Sequence, residues 1–268
     1  MLTQFPYNVR NFGEYLVMKK ILLILTGILI CSAANAQEQV DANVYGDITN
    51  PFYMPLKNRA LSHTSLTYHR DDYKYGFGTD RREETYLNEE FSFGVSNNFA
   101  LTGTLGNRFE ASEDMRNVYW GFGGVYALDM AQYPDILTLI GASYKQEGSH
   151  RDLSAFVRVG YTPDAVVMPY AEFRFTQPVN YGKDRNEAYY DVRVAGYSMI
   201  KETVAVRAGF DASYRHEDAR EQAYSVFGEA EYVLSDRMAV GVNGSYLFHD
   251  TGVDTSGFFV GANFKIAF

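Results

Sequence analysis

Two groups of residues have the types and spacing for chemistry. His63-Thr64-Ser65 sets an imidazole and a hydroxyl two positions apart. On a β-strand such side chains stand side by side on one face, where the base could activate the nucleophile. No third residue is placed to orient the imidazole. Asp71-Asp72, His216-Glu217-Asp218 and His249-Asp250 form the second group. Brought to one rim, these carboxylates and imidazoles could activate a water molecule. The plainer reading of the same residues is a solvated rim, or one that binds divalent ions and phosphates. No spacing specific for a metal ion is present and no glycine-rich phosphate loop opens a helix, so neither a metal nor a cofactor is expected.

The elements that must position these residues are strands. From about residue 59 onward, runs of some ten residues alternate apolar and polar side chains, separated by polar breaks. The runs number twelve: 59–69, 85–96, 100–110, 117–128, 136–145, 152–161, 167–177, 187–198, 204–215, 222–233, 239–249 and 256–268. Breaks at 97–99, 129–135, 162–166, 199–203 and 234–238 form a tight set. Those at 70–84, 111–116, 146–151, 178–186, 216–221 and 250–255 carry more charge. Phe93-Gly94-Val95-Ser96-Asn97-Asn98-Phe99 and Tyr232-Val233-Leu234-Ser235-Asp236-Arg237-Met238 both read as strand, turn, strand.

Each run has a greasy face and a charged one. In the ninth, Val204, Val206, Ala208, Phe210, Ala212 and Tyr214 oppose Arg207, Gly209, Asp211, Ser213 and Arg215. Across the chain the polar faces gather Arg108, Arg158, Arg174, Arg193, Arg207, Arg215 and Lys265. Against them stand Glu90, Glu172, Asp191, Asp211, Glu229 and Glu231. The two signs nearly balance, which predicts pairing rather than a one-signed track.

Composition bounds the class. Tyr (22) and Phe (19) are abundant, and an aromatic content of 16% favours strands over helices. A net charge of −9 argues against nucleic acid as a partner. Met18-Lys19-Lys20, the apolar run Ile21 to Ile30 and Ala34-Asn35-Ala36 together read as a secretory signal peptide over 18–36. The run is too short to span a bilayer as a helix, which takes roughly 20 residues. Residues 1–17 read as upstream sequence or a leader extension. The sole cysteine, Cys31, leaves with the leader, so no disulfide or thiolate chemistry is expected. Residues 37–58 read as an extended periplasmic segment before the strands of 59–268, with a plug or a partner-docking role as the alternative.

The last run, Gly261-Ala262-Asn263-Phe264-Lys265-Ile266-Ala267-Phe268, carries an aromatic-ended apolar stripe. With the preceding strands and the leader, it resembles the outer-membrane β-barrels of Gram-negative bacteria. The resemblance covers about 59–268 and implies an all-β fold: a closed antiparallel transmembrane barrel, an up-and-down meander of twelve strands, with ten or fourteen as alternatives. Closure is required because no strand edge can go unpaired in hydrocarbon. Tyr161, Tyr197, Tyr232 and Phe268 are then expected in the aromatic girdle at the tight-turn end. The resemblance also implies that Phe264, Ile266 and Phe268 form the signal read by the outer-membrane assembly machinery. Lipid, lipopolysaccharide and periplasmic chaperones would be the other partners. The charged faces would line a lumen, with inward Gly94, Gly106, Gly121, Gly123, Gly160 and Gly209 leaving space.

The function expected on this reading is passive diffusion of small hydrophilic solutes through a narrow lumen. The alternative is a closed barrel whose loops serve adhesion or membrane integrity. Two enzyme readings are weaker. His63-x-Ser65 is similar to the spacing in outer-membrane phospholipase-like barrels, and the rim residues lack the paired Asp-x-Asp and Asp-x-His spacings of the omptin proteases.

Overall fold

The structure, a computed structural model, describes residues 47–75, 78–110, 116–128, 132–162, 166–179, 188–200, 202–215, 222–250 and 254–268. The expected leader, residues 37–46 and His216, Glu217 and Asp218 lie outside the described residues, as do the side chains of Arg215, His249 and Asp250.

Twelve strands follow one another in chain order: β1 (Ala60–Tyr75), β2 (Gly78–Gly94), β3 (Phe99–Glu110), β4 (Arg116–Leu128), β5 (Ile136–Glu147) and β6 (His150–Tyr161). The second half comprises β7 (Met168–Pro178), β8 (Tyr189–Ile200), β9 (Val204–Arg215), β10 (Gln222–Ser235), β11 (Met238–Asp250) and β12 (Asp254–Ala267). Each pairs antiparallel with its sequence neighbours, and β1 pairs with β12 to close the barrel. The closing seam runs from Leu61↔Ala267 to Lys74↔Asp254. It is finished by reciprocal bonds, Phe268 N–H to the Ala60 carbonyl at 2.8 Å and Ala60 N–H to the Phe268 carbonyl at 3.2 Å. The expected twelve-stranded meander is the fold observed.

Two of the expected charged connections are shorter than the alternation suggested. The break at 70–84 is mostly strand: β1 and β2 run on as a ladder to Tyr75↔Gly78. Charge replaces apolar burial there, because Asp72 takes Arg70 at 3.0 Å and the cross-strand Arg81 at 3.0 Å. Such a segment is polar on both faces and hides its period. The break at 146–151 reduces to a two-residue turn between Glu147 and His150, and Gly148 there takes a φ of +57° that favours glycine.

The outer face is apolar and exposed: Leu105, Phe122, Val194, Val242 and Val260 all project from the wall. Aromatic clusters such as Trp120–Phe122–Tyr144 and Phe210–Tyr224–Phe248 lie on it toward the longer connections, with ring centroids 5.5 to 6.4 Å apart. Tyr161, Tyr232 and Phe268 are exposed at the tight-turn end. This end is the tight-turn mouth of the barrel, the end that faces the periplasm in outer-membrane barrels. Tyr197 departs from the expected girdle, being 7% exposed and facing inward. One polar seam crosses the outer face, where the Ser62 and Thr64 hydroxyls donate to Glu89 between Leu87 and Phe91. That seam is why the first strand reads as poorly polarised.

Truncation after Gly261 removes the residues that pair Leu61 through Leu66 and leaves that edge open. After refolding into lipid, such a chain is expected to lose the compact, fast-migrating band on an unboiled denaturing gel. The full-length chain is expected to keep it.

Candidate functional site

The interior divides into three levels. At the tight-turn mouth the wall turns apolar on its inner face as well. Ala100, Ala127, Leu137, Leu139, Met168 and Tyr170 pack there against Phe52 and Met54. Phe52 is fully buried and meets the Tyr170 ring edge-on at 6.1 Å. Residues 47–58 therefore do not lie extended outside the barrel; they turn into its mouth. Asp47 and Asn50 fold the segment by capping nearby backbone N–H groups, Asp47 Oδ1 accepting from Thr49 N–H and Asn50 Oδ1 from Phe52 N–H, each at 2.9 Å. The Tyr197 hydroxyl donates to Asp47 and shares a 3.0 Å hydrogen bond with Thr49. Arg158 donates to the Pro51 carbonyl, and Lys57 bridges to Gly94. Burial pushes the Tyr53 phenol up, against the opposing pull of Arg59.

The inward glycines correct the sequence reading. A Cβ at Gly160 would stand 2.6 Å from the Phe52 ring, and one at Gly94 would stand 2.3 Å from the Pro55 carbonyl oxygen. Both positions are occupied by the N-terminal segment. Gly106 is covered by Tyr119. At Gly121, Gly123 and Gly209 the neighbouring strand's carbonyl comes within 2.4 to 2.6 Å of that point. The missing side chains serve close packing rather than an open bore.

Above the mouth the charged side chains pair along the wall. Lys265 meets Glu231 at 2.8 Å, and Arg207 meets Glu229 at 2.7 Å and Glu231 at 3.3 Å. Asn263 donates to Glu229 at 3.0 Å. Glu231 is 1% exposed and Lys265 is buried, so this pair is enclosed. A second cluster joins Glu172 to Arg158 and to Arg174, the latter at 2.9 Å, with both guanidinium groups within 5.8 Å of the Phe156 ring centroid. Arg193 forks onto Asp211 at 2.8 and 2.9 Å, a planar match of guanidinium to carboxylate. Asp191 accepts from Ser213 at 2.6 Å. Nearer the outer end Arg108 meets Glu147 at 3.0 Å and Glu84 at 3.5 Å, while Arg82 reaches Glu84 at 2.7 Å and Glu110 at 3.2 Å.

The structure thus places Glu90, Arg108, Arg158, Glu172, Arg174, Asp191, Arg193, Arg207, Asp211, Glu229, Glu231 and Lys265 inside, joined mostly to strand neighbours. Sequence reasoning missed Glu84, Glu147 and Lys145, which sit toward strand ends where the alternation was not followed. Lys145 lies 4.2 Å from the Tyr119 ring centroid. Leu137 and Leu139 carried a legible signal: in Ile136-Leu137-Thr138-Leu139-Ile140 both faces are largely apolar, which a wet lumen does not require.

Between the Glu231 cluster and the Arg108–Glu84 cluster the inner wall holds an open recess of about 410 Å³. Ser65, Thr67, Asn88 and Asn243 give it neutral hydrogen-bonding groups; Tyr86, Tyr119 and Phe259 give it rings; His69 stands at its edge, 3.0 Å from Asp71. His63 also faces inward, yet its partner is Glu90 at 3.4 Å, and no hydrogen bond joins it to Ser65 among the described residues. Asp71 and Asp72 point to opposite faces, inward and outward, so they do not form a paired rim site.

No family model and no curated protein sequence matches the chain. Its fold does match solved structures. An outer-membrane channel from Pseudomonas putida F1 aligns with a TM-score of 0.59 at 9% identity, covering 86% of this chain and 100% of that one. NanC porin aligns at 0.54 and 9% identity, covering 74% and 98%. The translocator domain of the autotransporter NalP from Neisseria meningitidis aligns at 0.52 and 8% identity, covering 77% and 88%. The chain therefore has the outer-membrane β-barrel fold. At such identities fold alone is shared, and a channel and a translocator domain both use it.

Replacing Lys265 with Met strands Glu231 beside a single cation. Breaking a buried pair from one side costs about 3–5 kcal/mol, whereas removing both charges restores most of it. Lys265→Met is expected to lower the urea midpoint of the barrel in lipid vesicles, and Lys265→Met with Glu231→Gln to recover much of the loss.

Proposed function

We propose that the protein is a narrow outer-membrane channel for small hydrophilic solutes, gated at its periplasmic mouth by residues 47–58. The observation that carries this reading is the polar cavity held inside a closed barrel whose outer surface is apolar. A barrel that only stabilised the membrane has no need of such a polar recess, whose hydrogen-bonding groups water or a solute must satisfy. The chain reaches the outer membrane on this account through its leader, periplasmic chaperones and the assembly machinery that reads Phe264, Ile266 and Phe268. Lipid and lipopolysaccharide surround it there. No catalysis enters this reading: the His63 imidazole pairs with Glu90 at 3.4 Å rather than with Ser65, so no base stands ready to activate the hydroxyl.

The plug favours a second reading, the closed barrel, because Phe52 and Met54 fill the mouth. The two readings differ in what happens when the plug is removed. Single-channel recordings in planar bilayers are expected to show small, infrequent openings for the processed chain. Sustained, larger openings are expected for a chain that begins at Arg59, and an intermediate pattern for Phe52→Ala. Absence of conductance from all three, each folded by its gel mobility, would reject the channel and leave the closed barrel.

A further inference from the structure

The cavity has a chemical character that the surrounding charge clusters make specific. Thr67, Gly261 and Asn243 form one row across β1, β12 and β11, since Gly261 pairs with Thr67 on one side and with Asn243 on the other. The point where a Cβ of residue 261 would stand is 2.4 Å from Asn243 Oδ1 and 2.9 Å from Thr67 Oγ1. Two hydrogen-bonding oxygens thus converge over a glycine. Asn243 Oδ1 is buried and has no hydrogen-bond partner among the described residues. In the next row Ser65 pairs with Asn263, whose amide oxygen is likewise buried without a partner. A buried acceptor left unmade costs free energy, which a donor from a guest molecule would return.

The charges nearby are already committed. On the tight-turn side Arg207, Glu229, Glu231 and Lys265 form ion pairs with one another; on the other side Arg108, Arg82, Glu84 and Glu147 do the same, and His69 faces Asp71. A charged guest would meet mostly paired groups: beside the space Glu90 already takes His63 at 3.4 Å and Asn88 at 3.1 Å, and Lys145 stands on the Tyr119 ring at 4.2 Å. The rings that line the space supply apolar contact without charge. Tyr119 is fixed across Gly106 by its hydroxyl donating to Asn88 at 3.2 Å, and Tyr86 by its hydroxyl donating to Glu84 at 2.6 Å. At about 410 Å³ the space falls within the range of roughly 300–1,000 Å³ typical of small-molecule sites.

We propose that the inner wall around Gly261 binds a small uncharged saccharide. Thr67 and Asn243 take a sugar hydroxyl between them, and Tyr86, Tyr119 and Phe259 cover its apolar ring face. Hydroxyls that both donate and accept match a set of hydroxyls and amides, and the C–H face of a sugar matches an aromatic lining. The inference deepens the channel reading by naming its solute class, and rests on it for the solute's route.

Titration calorimetry on the detergent-solubilised, folded barrel tests the site without requiring conduction. Glucose and maltose serve as neutral probes, glucuronate and glucosamine as charged ones of similar shape. The neutral sugars are expected to bind at least tenfold more tightly than either charged sugar. Asn243→Leu and Thr67→Val, the latter nearly isosteric, are each expected to weaken neutral-sugar binding about tenfold. Thr64→Val, on the outer face, is expected to leave it unchanged. No heat from any sugar would overturn the proposal and mark the space as water-filled only. Equal or tighter binding of glucuronate or glucosamine would overturn it too, as would affinity indifferent to both inner substitutions. Binding with the expected pattern from a barrel that never conducts would keep the site while rejecting the channel.

Discussion

Hydrocarbon offers no water to a backbone N–H or C=O, so every strand at membrane depth must have two partners. The pairing of β1 with β12 is the bond set that satisfies this condition for the whole wall. Once it is made, each strand's two faces acquire fixed and opposite solvents, and the period-two pattern becomes a statement about inside and outside. Lys265 shows the consequence. Between Phe264 and Ile266 on a strand it can meet Glu231 only because its neighbours face the other way.

Enclosure then governs the electrostatics. Charges on an inner wall have limited access to water, and isolated ones are costly. This chain answers with clusters in which carboxylates bridge two cations, Glu172 between Arg158 and Arg174, Glu231 between Arg207 and Lys265. Such pairing spends the wall's charge on structure. What is left for a guest is the neutral zone of Ser65, Thr67 and Asn243 with its rings, so the character of the cavity follows from how the charges are held elsewhere.

The strands and the inner charges were legible because both rest on alternation, which survives wherever one face is greasy. The β1–β2 extension was not, since Arg70, Asp72 and Arg81 stabilise it through charge and leave no apolar stripe to count. The plug was legible only as an alternative, for a different reason. Ile48, Phe52 and Met54 follow no period, and their binding surface is assembled from β3 to β9, elements distant in sequence. Its traces in the sequence were indirect: the doubly apolar stretch at Ile136 to Ile140, Tyr197 on the wrong face for a girdle, and Gly160 and Gly94, which leave room for a segment rather than a bore.

The claim beneath all of this is that alternate residues of one strand touch lipid and an enclosed aqueous interior. Cys31 is the sole cysteine, so in a Cys31→Ser background single cysteines introduced at each position from 258 to 265 can carry a spin label without a second label site. In lipid vesicles, labels at 258, 260, 262 and 264 are expected to relax with oxygen, which concentrates in the bilayer. Labels at 259, 261, 263 and 265 are expected to show low oxygen contact and, where the lumen admits it, contact with a water-soluble nickel complex. Equal accessibility along the strand, without a period of two, would contradict the account.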